Sequence, residues 1–343
     1  MLVIAVVAVG PAAGHVDYVT EGEREPLSPA DFLVDVLGDP LNAALVGGGA
    51  IAVLVGMAAY LRLRPFPRDV AVFRETLSSY LDLVPWMLRL SVGLPLVGAG
   101  FAGYLFSPAV TEPDAQFQVA LGFLLLFGLA TRAVALVGLL AYLGALVTDA
   151  RLLLAVEYVP GLLAVALLGG GRPSADHVLQ AVASADGTRY GRIDPVHGPA
   201  AWLNRRLEPW VAYVPTVLRA GLGVTFVYLG LTQKLGDPAG GLAVVAKYDL
   251  TAVVPVDAGL WVVAAGLAEM AVGLALLAGL FTRASAAVAF GMLTLTLFGL
   301  PDDPVLAHVT LFGMTSALVV VGGGPLSLDR RLETADAGAA GSG

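Results

Sequence analysis

Nine stretches of this chain are apolar over lengths close to what a bilayer demands. A helix rises 1.5 Å per residue and needs about 20 mostly apolar residues to cross the hydrocarbon. The stretches are 42–61, 84–106, 116–130, 132–148, 153–170, 212–232, 257–280, 283–299 and 304–322. A water-soluble helix would show a polar face, and these segments lack one. Charged residues are 13% of the chain, against about 25% in soluble domains. That excludes two soluble domains, disorder or a disulfide-rich module. The expected fold is all-α: a polytopic membrane protein with nine transmembrane helices, its surface facing the lipid bilayer.

Some chemistry is excluded at once. There is no cysteine, hence no disulfide, thiolate metal site or cysteine nucleophile. Four histidines leave little for a multi-histidine metal or haem site, so no metal site and no intrinsic cofactor are expected. A net charge of -8 argues against a nucleic-acid partner. No P-loop, dinucleotide glycine pattern or HExxH occurs in context. Lys234 and Lys247 are the only lysines, and Arg-over-Lys usage with acidic loops is a weak hint of an archaeal-halophile-like composition.

Residues 1–14, MLVIAVVAVGPAAG, have two readings: the back half of a cleaved signal peptide, or a short extra membrane segment. The acidic segment 15–41 follows, with Asp17, Glu21, Glu23 and Glu25, and then the leading helix at 42–61. Basic residues gather in alternate loops. Arg62, Arg64, Arg68 and Arg74 fall on one side, with Arg132, Arg283 and the arginines of 171–211 and 330–331. The positive-inside rule then gives a multi-pass cell-membrane protein with its N-terminus outside and its C-terminus cytoplasmic.

An internal duplication is visible. LRLSVGLPLVGAGFAGYLFSPA at 88–109 aligns with LRAGLGVTFVYLGLTQKLGDPA at 218–239. QVALGFLLLFGLATRAVA at 118–135 aligns with EMAVGLALLAGLFTRASA at 269–286, and GGGRPSAD at 169–176 with GGGPLSLD at 322–329. Three blocks in one order predict repeat A at 84–170 and repeat B at 212–332. Four spans each make the repeats parallel, as two pseudo-two-fold-related four-helix bundles beside the leading helix. The cytoplasmic linker 171–211 ends in WLNRRLEPW, whose Trp202 and Trp210 suit the lipid interface. Residues 333–343 are expected to be a disordered tail.

LRAGLGVTFVYLGLTQKLG at 218–236, EMAVGLALLAGLFTRASA at 269–286 and GMTSALVVVGGGPLSLDRRL at 313–332 resemble the DoxX/DoxD family of four-helix membrane proteins. The resemblance implies fold more firmly than chemistry. Family members are linked to a quinone-reducing, thiosulfate-oxidising enzyme and to membrane complexes handling redox stress. It therefore implies a membrane subunit of a quinone-linked or redox-stress oxidoreductase system, with partner redox proteins and a diffusible quinone. The double length and the leading helix depart from the simple pattern. A non-catalytic scaffold or assembly protein, and a small-solute permease or efflux component, are the alternatives.

Glu269 is the sharpest candidate residue, because an ionisable group in mid-span is costly. It is either a proton relay or head-group ligand, or a neutral acid bonded to a neighbouring helix. Thr225 and Tyr228 are its expected partners by depth. Repeat A carries Gln118 there, which cannot release a proton. Arg89 and Arg219 are expected to reach lipid phosphates, with a buried pair to Asp176 or Asp329 as the alternative. Arg132 and Arg283 read as topology markers in tight turns, and Asp176 and Asp329 as anchors. His308 with Asp302 and Asp303 forms a second polar group at the other end, and Lys234 with Asp237 a surface pair.

Overall fold

A computed structural model describes residues 25–112, 114–195 and 197–340. The signal-peptide question at 1–14, and the acids at 17, 21 and 23, lie outside these residues. The fold is all-α. Helices α1 (Pro29–Gly38), α2 (Pro40–Leu63) and α3 (Pro67–Ser78) lead in. Next come α4 (Val84–Ala102), α5 (Phe117–Phe127), α6 (Thr131–Thr148) and α7 (Tyr158–Leu168). The linker holds α8 (Ala175–Ser184), α9 (Arg189–Ile193) and α10 (His197–Val211). Then follow α11 (Val214–Leu229), α12 (Pro238–Lys247), α13 (Leu250–Val253) and α14 (Ala258–Ala278). The chain ends in α15 (Thr282–Gly299), α16 (Val305–Val321) and α17 (Leu328–Ala340). Helix α17 thus carries the chain as helix to Ala340, into the stretch expected as a disordered tail.

Six described helices are long and apolar enough to cross a membrane, not nine. They are Pro40–Leu63, Leu81–Ala102, Thr131–Thr148, Val214–Leu235, Ala258–Ala278 and Thr282–Gly299. The stretches 116–130, 153–170 and 304–322 give only the shorter α5, α7 and α16. At 11 residues, α5 and α7 reach about 16 Å, roughly half the hydrocarbon thickness. The reason is local. Gly128 at φ +66 ends α5, and residues 150–155 wind as 3₁₀ helix before α7 begins. One face of each is buried in protein: Leu125, Leu162, Val165, Met314 and Leu318 are all inaccessible, while Phe123 and Phe127 of α5 stay exposed. The expected pair of four-span bundles does not hold, since the segment 84–170 contains two full-length spans and 212–332 contains three.

The core is built by close helix pairs. Helix α4 packs on α5 and α11 on α14, while α16 lies against α4 and α7 against α11 across the middle. Gly93 faces Gly122, and Gly223 faces Gly273. A Cβ at Gly122 would stand 2.6 Å from the Gly93 carbonyl oxygen, and one at Gly273 2.8 Å from that of Gly223. Only glycine lets the backbones meet so closely. Across the middle, a Cβ on Gly313 would meet the Ser91 side chain, and one on Gly221 the Pro160 ring. Helix α2 stands apart, with no residue of its apolar window buried. It is tied through α1, whose Val36 packs near Gly259, and through Tyr60, whose ring meets Phe281 edge-on at 5.5 Å.

Gly273→Ala should destabilise the detergent-solubilised protein by about 1–3 kcal/mol through overpacking. Gly56→Ala, where nothing lies within 4 Å, should be neutral or slightly stabilising. Chemical unfolding followed by circular dichroism checks both.

Candidate functional site

Two kinds of polar structure break the apolar interior: clamps at one end of the helices, and a charged cluster nearer the other end. The clamps use the residues singled out in the sequence. Asp176 accepts hydrogen bonds from the backbone N–H groups of Ala130 (2.7 Å) and Thr131 (2.8 Å) at the start of α6. Asp329 does the same with Phe281 (2.7 Å) and Thr282 (2.8 Å) at the start of α15. A carboxylate there satisfies orphan N–H groups and the positive helix end. Arg132 donates to the carbonyls of Ala166 and Leu167 at the end of α7, both at 2.6 Å. Arg283 donates to Val319 (3.0 Å) and Val320 (3.1 Å) near the end of α16. These arginines therefore also cap neighbouring helices.

Arg89 and Arg219 are buried rather than extended to lipid. Arg89 is inaccessible and donates to the carbonyls of Leu125 and Pro173. Arg219 donates to Gly323 (3.0 Å), Leu276 (3.2 Å) and Leu326 (2.8 Å). Bare carbonyls in hydrocarbon cost several kcal/mol, and each guanidinium satisfies more than one.

The charged cluster centres on Glu269, the twelfth residue of the 21-residue α14. Its partner is Lys234, with Nζ 2.8 Å from Oε1, not Thr225 or Tyr228. Thr225 donates to the Gly221 carbonyl of its own helix, and Tyr228 lies near Tyr142 in the other half. Lys234 reaches Glu269 because α11 ends in a π-helix, Gly230–Leu235. The wider turn advances the register, and π turns often occur at functional sites. Gly230 permits the approach, since a Cβ there would come within 2.7 Å of the Gly266 carbonyl. Asp237, the expected partner of Lys234, instead caps α12 by accepting from Gly240 N–H at 3.0 Å.

The cluster continues. Asp303 and His308, both buried, approach to 3.4 Å between Oδ2 and Nε2, and the Lys234 charge acts on Asp303. Burial pushes the Asp303 carboxyl up, while His308 and Lys234 oppose that. Beside it, hydrogen bonds from Lys247 and Tyr248 hold Asp302 below the usual carboxylate range. The Lys247–Asp302 contact of 2.7 Å is thus present above that range and lost as pH falls through the lowered value. Glu269 Oε2, Gln233 Oε1 and Asp303 Oδ1 are buried without a hydrogen-bond partner. Glu269 is 17% and Lys234 29% exposed, so the pair is partly accessible from the surface of the helix bundle.

At the place of Glu269, the first half has Gln118, whose side chain bonds the backbone of Phe106 (2.8 Å) and Tyr104 (3.0 Å) and organises a loop. Among the described residues, no group of three or more His, Cys, Asp or Glu side chains could hold a metal ion. The role of Lys234 was missed because its reach depends on the π turn, which α-helical periodicity does not reveal.

The molecule so defined is a multi-pass helical membrane protein in which a mid-helix glutamate pairs with a lysine near the end of a neighbouring span. Residues 214–302, which hold Lys234 and Glu269, match the DoxX family. No curated protein and no solved structure matches the chain.

Lys234→Met should cost about 3 kcal/mol of stability, because it strands a mostly buried carboxylate. Lys234→Met with Glu269→Leu should recover most of that loss. Thermal unfolding of the two variants against the parent measures the difference.

Proposed function

We propose that this chain is the membrane component of a quinone-linked redox system, and that Lys234 and Glu269 receive the quinone head group. The observation that carries this reading is the partly accessible Lys234–Glu269 pair between two apolar helices, with one carboxylate oxygen lacking a partner. An amphiphile can reach it sideways from the bilayer. Lys234 offers N–H donors, and Glu269 an acceptor or, when protonated, a donor. The DoxX match over the same residues supports the redox setting.

Conversion of a quinone to a quinol takes up two electrons and two protons. A partner protein supplies the electrons. This chain supplies the proton route: Lys234 and Glu269 hold protons at the head-group atoms, and His308 and Asp303 connect them to the neighbouring end of the bundle. We assign the arginine-rich end to the cytoplasm by the positive-inside rule; Asp303, at the opposite end, is then external. We also assign the two halves to duplication of one unit. The matched Asp176 and Asp329 clamps support this, as do the reciprocal contacts of Ser91 with Gly313 and Gly221 with Pro160. The second copy kept the acid and the first became a support.

The test is purification of the full chain from native membranes, with extracted quinone quantified and redox spectra taken of copurifying protein. Quinone enriched over the membrane pool, together with a redox-active partner, is expected. Glu269→Gln should lower quinone occupancy about tenfold, the loss of one charge-assisted hydrogen bond, with the partner retained. Wild-type protein carrying no enriched quinone and no redox partner would overturn the reading in favour of a scaffold.

A further inference from the structure

At the arginine-rich end, a cleft of about 880 Å³ opens beside α2, α3, α15 and α17. Its origin is a departure from the pairing of the two halves. The alignment that pairs Arg89 with Arg219 also pairs Arg74 on α3 with Asn204 on α10. The two helices hold matching places, with α10 on α7 and α3 on α16. In the first half, Asn204 Oδ1 accepts a hydrogen bond from Arg132 Nε at 3.0 Å, so the guanidinium meets an acceptor. In the second half, the counterpart of Arg132 is Arg283, and the residue brought to it is Arg74. Two like charges stand where a donor and an acceptor would belong, close enough to act on one another.

Glu333 and Asp329 also act on Arg283, each from a position already engaged elsewhere. Arg64 and Arg330 also line the cleft, against two acids, Asp329 and Glu333. Asp329 is committed to the N–H groups of Phe281 and Thr282. Glu333 meets Arg74 at 2.7 Å, but both are about half exposed, and such pairs are weak. One wall is apolar, formed by Tyr60, Phe281, Ala287 and Val319. The cleft lies where Tyr60 of α2 touches α15, and above that contact α2 is open to lipid.

We propose that this cleft binds a phosphate group, gripped by Arg74 and Arg283, and carried by an anionic lipid whose glycerol and acyl part lies along the apolar wall. Guanidinium groups match phosphate oxygens in a bidentate geometry. The anion supplies the acceptor that Asn204 provides in the first half. The site is separate from the Lys234–Glu269 pair and stands whether or not a quinone binds there.

Native mass spectrometry of the full chain in neutral detergent tests this, with phosphatidylglycerol and phosphatidylcholine added at equal concentration. The wild type should retain phosphatidylglycerol preferentially. Arg74→Asn, which restores the first-half arrangement and so should fold, should bind it about tenfold less tightly. Arg74→Lys should keep part of the affinity, and Glu333→Gln should raise it. Equal retention of the two lipids, or unchanged binding by Arg74→Asn, would overturn the proposal. Thermal protection by inorganic phosphate equal to that by phosphatidylglycerol would assign the site to a free anion and overturn its lipid part.

Discussion

Backbone groups left unpaired in hydrocarbon are the constraint on which this structure depends. Several of its apolar helices are short, and arginine side chains reach carbonyls near their ends. Arg89, Arg132, Arg219 and Arg283 supply the missing donors, and Asp176 and Asp329 supply acceptors for helix N-termini. Such clamps let α5 and α7 stop after 11 residues without exposing bare backbone. Glycine pairs at the helix crossings then let the backbones close together.

With the scaffold so satisfied, remaining charge inside it stands out. Lys234 and Glu269 hold no helix end and fill no cap. A buried ion pair is weak evidence of stabilisation, since desolvation offsets much of the attraction. The proposed function gives that cost a reason: a proton donor and an acceptor held together between two apolar helices. The first half carries the neutral Gln118 at this place and uses it to hold a loop. The two halves thus differ at this place in charge and in what the side chain contacts.

Much of this was legible in the sequence. The repeated blocks located Arg89 with Arg219 and Asp176 with Asp329, and a carboxylate in an apolar run marked Glu269. The span count was not legible. Hydropathy measures exclusion from water and cannot distinguish burial in lipid from burial in protein, so α5, α7 and α16 read as spans. A sequence does not display the carbonyls that Arg89 and Arg219 satisfy, so their burial departs from the expected reach to lipid phosphates. Lys234 escaped because a π turn changes the register, and the Arg74–Arg283 encounter emerges only when α3 is seen against α15.

The central claim is that Glu269 and Lys234 meet a quinone head group directly. Infrared difference spectroscopy tests it on the reconstituted full chain, recorded with and without a short-chain quinone and compared with Glu269→Gln. A carboxyl band that shifts on quinone addition and disappears in the variant is the predicted result. A spectrum in which quinone leaves every carboxyl band unchanged would contradict it.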